Sequence, residues 1–166
     1  MYIERALEPL VRRYSENFKI VAVTGPRQVG KTTMLKHLME EEAESGVDRV
    51  YVTLDNTAIL QTAKEDPALF LQRYRPPVLI DEIQKAPELL PYIKMIVDER
   101  DDCGSVWITG SQPLHLMKAV SESLAGRVGI VEMLGLSHSA VAGPPPAPYL
   151  PSPAYLLPPV DVAQPF

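Results

Sequence analysis

The chain has 166 residues, of which 46% are apolar and 22% are charged, and this suits about one globular domain with a buried core. Its single cysteine, Cys103, excludes an internal disulfide and so a disulfide-stapled secreted domain; we expect a partly buried thiol in a reducing cytoplasm. No stretch approaches the roughly 20 apolar residues of a membrane span. The net charge of −5 gives no general electrostatic reason to bind nucleic acid.

Proline is unevenly distributed, which divides the chain into two parts. Nine of the 17 prolines lie between Pro144 and Pro165, and the only formal charge after residue 134 is on Asp161. A segment of this composition cannot bury a core and favours a polyproline-like chain. We therefore predict a globular domain over residues 1–136 and an extended or disordered proline-rich tail over residues 137–166.

Strands and helices alternate along the globular part. An amphipathic helix is predicted within residues 1–17, with a bend at Pro9. The apolar patterns that follow predict strands over 18–23, 49–54, 77–80, 105–109 and 128–134, and helices over 31–44, 56–65, 66–74, 87–100 and 112–120. Parallel strands need crossover connections, so this alternation predicts an α/β fold with a parallel sheet and helices on both faces.

The segment after the first strand carries the strongest motif. Residues 25–32 match the phosphate-loop (Walker A) pattern G-x-x-x-x-G-K-[ST] at every position. Two glycines let successive N–H groups curl around a phosphate, the lysine reaches the β- and γ-phosphates, and the threonine hydroxyl can bind Mg²⁺. The predicted nucleotide-binding residues are Gly25, Pro26, Arg27, Gln28, Val29, Gly30, Lys31, Thr32 and Thr33.

Two acidic residues, Asp81 and Glu82, end the third strand. The carboxyl end of a buried parallel strand faces the ligand crevice, so Asp81 is predicted to hold Mg²⁺ together with Thr32. Glu82 is predicted to polarise the attacking water as a general base. The alternative for Asp81 is a solvated strand end, which is common. The alternative for Glu82 is an acid that does not act as the base, since some nucleotide switches keep an acid here and hydrolyse poorly.

Polar residues also follow the fourth strand and precede the fifth. Ser111 or Thr109 is predicted to contact the γ-phosphate or the attacking water. The alternative is that Ser111 or Gln112 only caps the helix that begins at Pro113. Arg127 is a candidate for stabilising the transition state, in its own chain or from a neighbouring one. Its alternative is a structural arginine paired with a local acid.

Together these residues resemble the AAA+ class of P-loop ATPases. More narrowly, the chain is similar to the N-terminal ATPase domain of prokaryotic AAA proteins that carry a C-terminal domain of unknown function. The resembling stretches are residues 2–5, 24–33, 79–87, 108–111 and 123–127. The resemblance implies a three-layer sandwich whose five-stranded sheet has the order 5-1-4-3-2. It also implies ATP and Mg²⁺ as ligands, hydrolysis as the activity, and Ser111 as the sensor.

The resembling proteins continue into a second domain, which we expect to be missing here, so the two interpretations are a truncated gene product and a natural short form. The leading hypothesis is a slow, Mg-dependent, cytoplasmic ATPase. The alternative is a nucleotide-gated binding module without useful hydrolysis, and a small-molecule P-loop kinase is less favoured. The predicted partners are ATP and ADP. We expect no membrane association, and the net charge does not support binding to nucleic acid. A protein partner and oligomerisation stay open.

Overall fold

The structure is a computed structural model that describes residues 2–111, 120 and 123–135. In the described residues the strands are β1 (Ile20–Thr24), β2 (Val50–Thr53), β3 (Val78–Asp81), β4 (Val106–Gly110) and β5 (Val128–Glu132). The helices are α1 (Glu8–Asn17), α2 (Lys31–Glu44), α3 (Thr57–Glu65), α4 (Pro67–Arg73) and α5 (Leu89–Asp98), with a 3₁₀ turn at Ile83–Lys85. None of these helices is long and apolar enough to cross a membrane.

The five strands form one parallel sheet in the order β2-β3-β4-β1-β5. Read from the other edge, this is the predicted order 5-1-4-3-2, which is confirmed. Because β4 lies between β1 and β3, the loop after β1 and the acidic pair after β3 emerge at the same edge, on either side of β4. Such a break in strand order opens a crevice at the carboxyl edge of an α/β sheet.

Side chains alternate along each strand, so the sheet builds a separate core on each face. In β1, Ile20 and Ala22 join the core that α3, α4 and α5 cover, whereas Val21 and Val23 face α1 and α2. All four side chains are fully buried. The result is the predicted three-layer sandwich, with both faces of the sheet buried.

The structure corrects the sequence prediction at Pro9 and at Cys103. Helix α1 begins at Glu8, so Pro9 lies in its first turn and does not bend it. Proline is tolerated there because the first N–H groups of a helix have no partner within the helix. Cys103 is exposed, not partly buried. Almost all of the helix predicted over residues 112–120, and the whole tail over residues 137–166, lie outside the described residues.

A buried arginine ties α2 to the sheet. Arg49, which directly precedes β2, is only 7% exposed. Its guanidinium meets the Glu42 carboxylate through two hydrogen bonds of 2.8 and 3.1 Å and lies 3.9 Å from the ring centroid of Trp107 on β4. A third nitrogen donates to the backbone carbonyl of Ser105 at 3.4 Å. Among side chains, only the planar guanidinium of arginine can stack on an aromatic ring and also make paired hydrogen bonds to a carboxylate.

We predict that Arg49→Lys lowers the free energy of unfolding by about 1–3 kcal/mol, because lysine keeps the charge but loses the stacking and the paired geometry. Arg100→Lys is the matched control. Arg100 also makes two hydrogen bonds to a carboxylate, that of Asp102, but on the surface. The free energy of unfolding of this variant should therefore stay within about 0.5 kcal/mol of the wild type. Urea denaturation measures both, and equal losses would contradict the prediction.

Candidate functional site

The loop between β1 and α2 has a backbone that requires glycine. Gly25 has a φ of 143° and Gly30, the N-cap of α2, has a φ of 93°. A Cβ atom on Gly25 would lie 2.0 Å from the carbonyl oxygen of Met133, so a larger residue could not fit without moving the backbone. Gln28 also adopts a positive φ of 63°. The loop is therefore held in a curled conformation at the start of a helix, which suits an anion.

Lys31 lies over this loop and is only 5% exposed. Its Nζ donates to the carbonyl oxygens of Gly25 at 3.0 Å and of Pro26 at 2.7 Å. Burial lowers the pKa of Lys31, while the carboxylates of Glu82 and Asp81 act in the opposite direction. An ammonium group has three donors, so these two bonds leave one for a further acceptor.

The carboxylate of Asp81 accepts hydrogen bonds from hydroxyls on three elements. Thr32 of α2 donates to Oδ1 at 3.0 Å, Thr109 of β4 donates to the same oxygen, and Tyr51 of β2 donates to Oδ2 at 3.1 Å. Asp81 is only 6% exposed. The structure thus brings together Thr32 and Asp81, the two predicted metal ligands, and carboxylate and hydroxyl oxygens are the ligands that Mg²⁺ prefers.

Tyr51 was not predicted as part of this cluster. It pairs with Leu79 in the β2–β3 register, two residues before Asp81 and on the same face of the sheet. Burial and the neighbouring Asp81 carboxylate raise the pKa of Tyr51 to about 12. The phenol is therefore protonated at neutral pH and can donate to Asp81.

Glu82 follows Asp81 in a left-handed conformation with a φ of 62°. Its backbone N–H donates to the hydroxyl of Thr109 at 3.2 Å, and its Oε2 accepts a hydrogen bond from Ser111 at 3.1 Å. The amide of Gln84 donates to the same oxygen. Ser111, the predicted sensor, thus lies against Glu82, and neither Thr109 nor Gln84 had been assigned to a contact with it.

A cavity of about 520 Å³ lies beside the loop. Lys31, Thr32 and Thr33 line it together with other loop residues, and Asp55, Glu82 and Lys85 line it as well. Lys85 pairs with Asp55 at 2.5 Å. The predicted base, Glu82, therefore faces the same space as the loop and its lysine.

The outer side of the loop is held by the N-terminal segment. Arg5 donates from Nη2 to the carbonyl oxygen of Val29 at 2.7 Å. The fully buried carboxylate of Glu8 accepts from the backbone N–H of Arg5 at 2.6 Å and from the hydroxyl of Tyr2 at 2.5 Å. Sequence reasoning placed residues 2–5 within the resemblance but assigned them no contact with the loop. The sequence signal that could have indicated this contact is Glu8, three residues after Arg5, because a carboxylate at that spacing can accept a hydrogen bond from the Arg5 backbone N–H.

Arg127 lies at the other edge of the sheet. It directly precedes β5, and its carbonyl oxygen accepts from the N–H of Ile20, the first residue of β1. The phosphate loop follows the last residue of the five-residue β1, so the two edges are on the order of 13 Å apart. Arg127 pairs with Asp98 at 2.5 Å, as its structural alternative predicted. A role on the nucleotide of its own chain is therefore not supported by this position.

The fold and this cluster together define a P-loop NTPase. Solved structures that share the fold are a DnaC helicase loader (TM-score 0.55, 15% identity, 80% of this chain and 94% of that one) and a Walker-type ATPase of Pyrococcus abyssi (0.56, 16%, 84% and 55%). A third is AMPPCP-bound DnaA from Aquifex aeolicus (0.56, 16%, 80% and 48%). At these identities the likeness concerns the fold alone.

The chain belongs to the AAA domain family, whose model matches residues 17–141. Nucleotide binding is the property that this family implies. The chain is also 35% identical over 127 residues to the proteins Rv2008c of Mycobacterium tuberculosis and Mb2031c of Mycobacterium bovis. That match covers 76% of this chain but only 27% of each mycobacterial protein, so the chain corresponds to about a quarter of their length.

We predict that Gly25→Ala destabilises the protein by about 3 kcal/mol, because it adds a steric clash with Met133 to an unfavourable φ. Gly126→Ala is the control. Gly126 also has a positive φ, 75°, but a Cβ there meets no described residue within 4 Å, so we expect a loss of about 1 kcal/mol. Urea denaturation of both variants separates strain from contact, and equal losses would mean that the Met133 contact contributes nothing.

Proposed function

We propose that this domain binds ATP together with Mg²⁺ at the phosphate loop and hydrolyses the ATP slowly. The observation that carries the proposal is the 3.0 Å hydrogen bond between Thr32 and Asp81, beside the glycine loop and the buried Lys31. This places two hard oxygen ligands at the N-terminus of α2, where the helix dipole and free N–H groups favour phosphate.

The residues present fit the magnesium ion that the family implies. Thr32 and Asp81 would hold it, and Thr109 and Tyr51 orient the Asp81 carboxylate through their own hydrogen bonds. When bound, the ion supplies positive charge to the β- and γ-phosphate oxygens. Lys31 offers its remaining donor to the same oxygens.

Glu82 is proposed as the base for hydrolysis. A water molecule gives a proton to the carboxylate while its oxygen bonds to the γ-phosphorus. The bond from that phosphorus to the bridging oxygen breaks, and ADP leaves. A base that lines the same cavity as the loop and its lysine suits this displacement.

We predict that Lys31→Ala weakens Mg-ATP binding at least tenfold, because a charge-assisted hydrogen bond to phosphate contributes about 1.5–3 kcal/mol. Lys64→Ala, which removes an exposed lysine on α3, is the control and should bind like the wild type. Isothermal titration calorimetry measures both. A folded wild-type protein that shows no heat and no competition at millimolar nucleotide would contradict nucleotide binding itself.

We predict that Glu82→Gln keeps Mg-ATP affinity within about twofold but slows phosphate release by about 100-fold or more, since general bases contribute 10²–10⁴ in rate. A coupled phosphate assay measures turnover. Unchanged turnover would remove Glu82 as the base.

Wild-type protein that binds ATP but releases phosphate no faster than buffer would favour a nucleotide-gated binding module. Phosphoryl transfer to an added small molecule would favour a kinase.

A further inference from the structure

Glu82, Gln84 and Ser111 form a closed triangle of hydrogen bonds. Ser111 donates to Oε2 of Glu82 at 3.1 Å, and Gln84 donates from Nε2 both to that oxygen and to the Ser111 hydroxyl, the latter at 2.9 Å. A short 3₁₀ turn, Ile83–Lys85, follows Glu82, and Ser111 directly follows the last residue of β4. The three side chains therefore come from two neighbouring strand ends.

The chemistry of the groups determines how the Gln84 amide is oriented. An ionised carboxylate only accepts hydrogen bonds, so the NH₂ group of Gln84 must face Glu82. Turned the other way, the amide oxygen would face the carboxylate and repel it. In the described part of the chain, the buried Oε1 of Gln84 has no hydrogen-bond partner as a result. An unpaired buried oxygen is costly, and a residue that only filled space would not need an amide.

We propose that Gln84 is a positioning residue for Glu82. With Ser111 it holds Oε2, and this leaves Oε1 as the oxygen that takes the proton from water. The inference rests on the proposed function, in which Glu82 is the base. It extends that function to a second residue: Glu82 lines the cavity beside the loop, whereas Gln84 contacts Glu82 and is not among the described residues that line the cavity.

Gln84→Met tests the proposal, because methionine is similar in size but cannot donate. We expect kcat for ATP hydrolysis to fall about tenfold with KM within about twofold, as for a misplaced catalytic group. Gln84→Glu should lower kcat further, since it sets two carboxylates against each other. Gln61→Met is the matched control: Gln61 makes the same amide–carboxylate bond to Glu65 on an exposed helix surface, 2.9 Å long, and should leave kcat unchanged.

A second comparison decides whether Gln84 acts through Glu82. Added to Glu82→Gln, the Gln84→Met change should alter the residual rate by less than about twofold, because the base is already gone. A further tenfold fall in the double variant would show an independent effect and overturn the proposal. A single Gln84→Met variant with wild-type kcat would overturn it as well.

The contact can also be measured without nucleotide. Glu82→Ala, Gln84→Met and the double variant form a cycle in urea denaturation; alanine is used because glutamine at position 82 would still accept the bond. We expect the shifts in midpoint to be non-additive, and additive shifts would overturn the claim that Gln84 holds Glu82. Wild-type protein without turnover would contradict the proposed function and the catalytic part of this inference, whereas the unfolding cycle judges the contact separately.

Discussion

The carboxylate of Asp81 is nearly buried, and a buried charge destabilises a protein unless hydrogen bonds or an ion compensate it. Here the compensation comes from hydroxyl groups on α2, β4 and β2, which belong to separate segments of the chain. Satisfying this one group therefore requires the sheet order, the β2–β3 register and the position of α2 all at once. The same requirement places Thr32 and Asp81 within hydrogen-bonding distance, which is the arrangement that a magnesium site needs.

The phosphate loop is held from its outer side by segments from both ends of the domain. Arg5 bonds to the Val29 carbonyl oxygen, and the backbone of Met133, directly after β5, packs against Gly25. The buried Glu8 in turn holds the backbone of Arg5. The curled shape of the loop is thus a property of the whole domain, although its sequence motif is only eight residues long. This explains why glycine at position 25 matters for packing as well as for its own backbone angles.

Arg127 and Glu82, two candidate catalytic residues of this AAA domain, differ in where they lie relative to the phosphate loop. Arg127 pairs with Asp98 at the edge of the sheet away from the loop, so within one chain it is separated from Glu82 by the length of the strands. A role for it on the nucleotide of a neighbouring chain stays a prediction. Glu82, in contrast, has its partners within its own domain, in Gln84 and Ser111.

The local features of this protein could be read from its sequence alone. The loop motif, the strands that alternate with helices, and the closeness of Thr32 to Asp81 follow from residue type, spacing and strand direction. The position of Arg127 was also readable, because a residue before a parallel strand lies at the opposite edge from a residue after one. The strand order, by contrast, came from the family resemblance and not from the pattern of residues.

Only the tertiary structure decided the contacts between distant segments. Tyr51 reaches Asp81 because of the β2–β3 register, and Arg5 reaches the loop because Glu8 holds its backbone. Gln84 meets Glu82 and Ser111 where β3 and β4 end. Such contacts depend on strand register and side-chain rotamers. The same residue types are common on protein surfaces, so residue type alone does not predict these contacts. Sequence patterns therefore determined which chemistry this protein carries, and three-dimensional packing determined which side chains orient it.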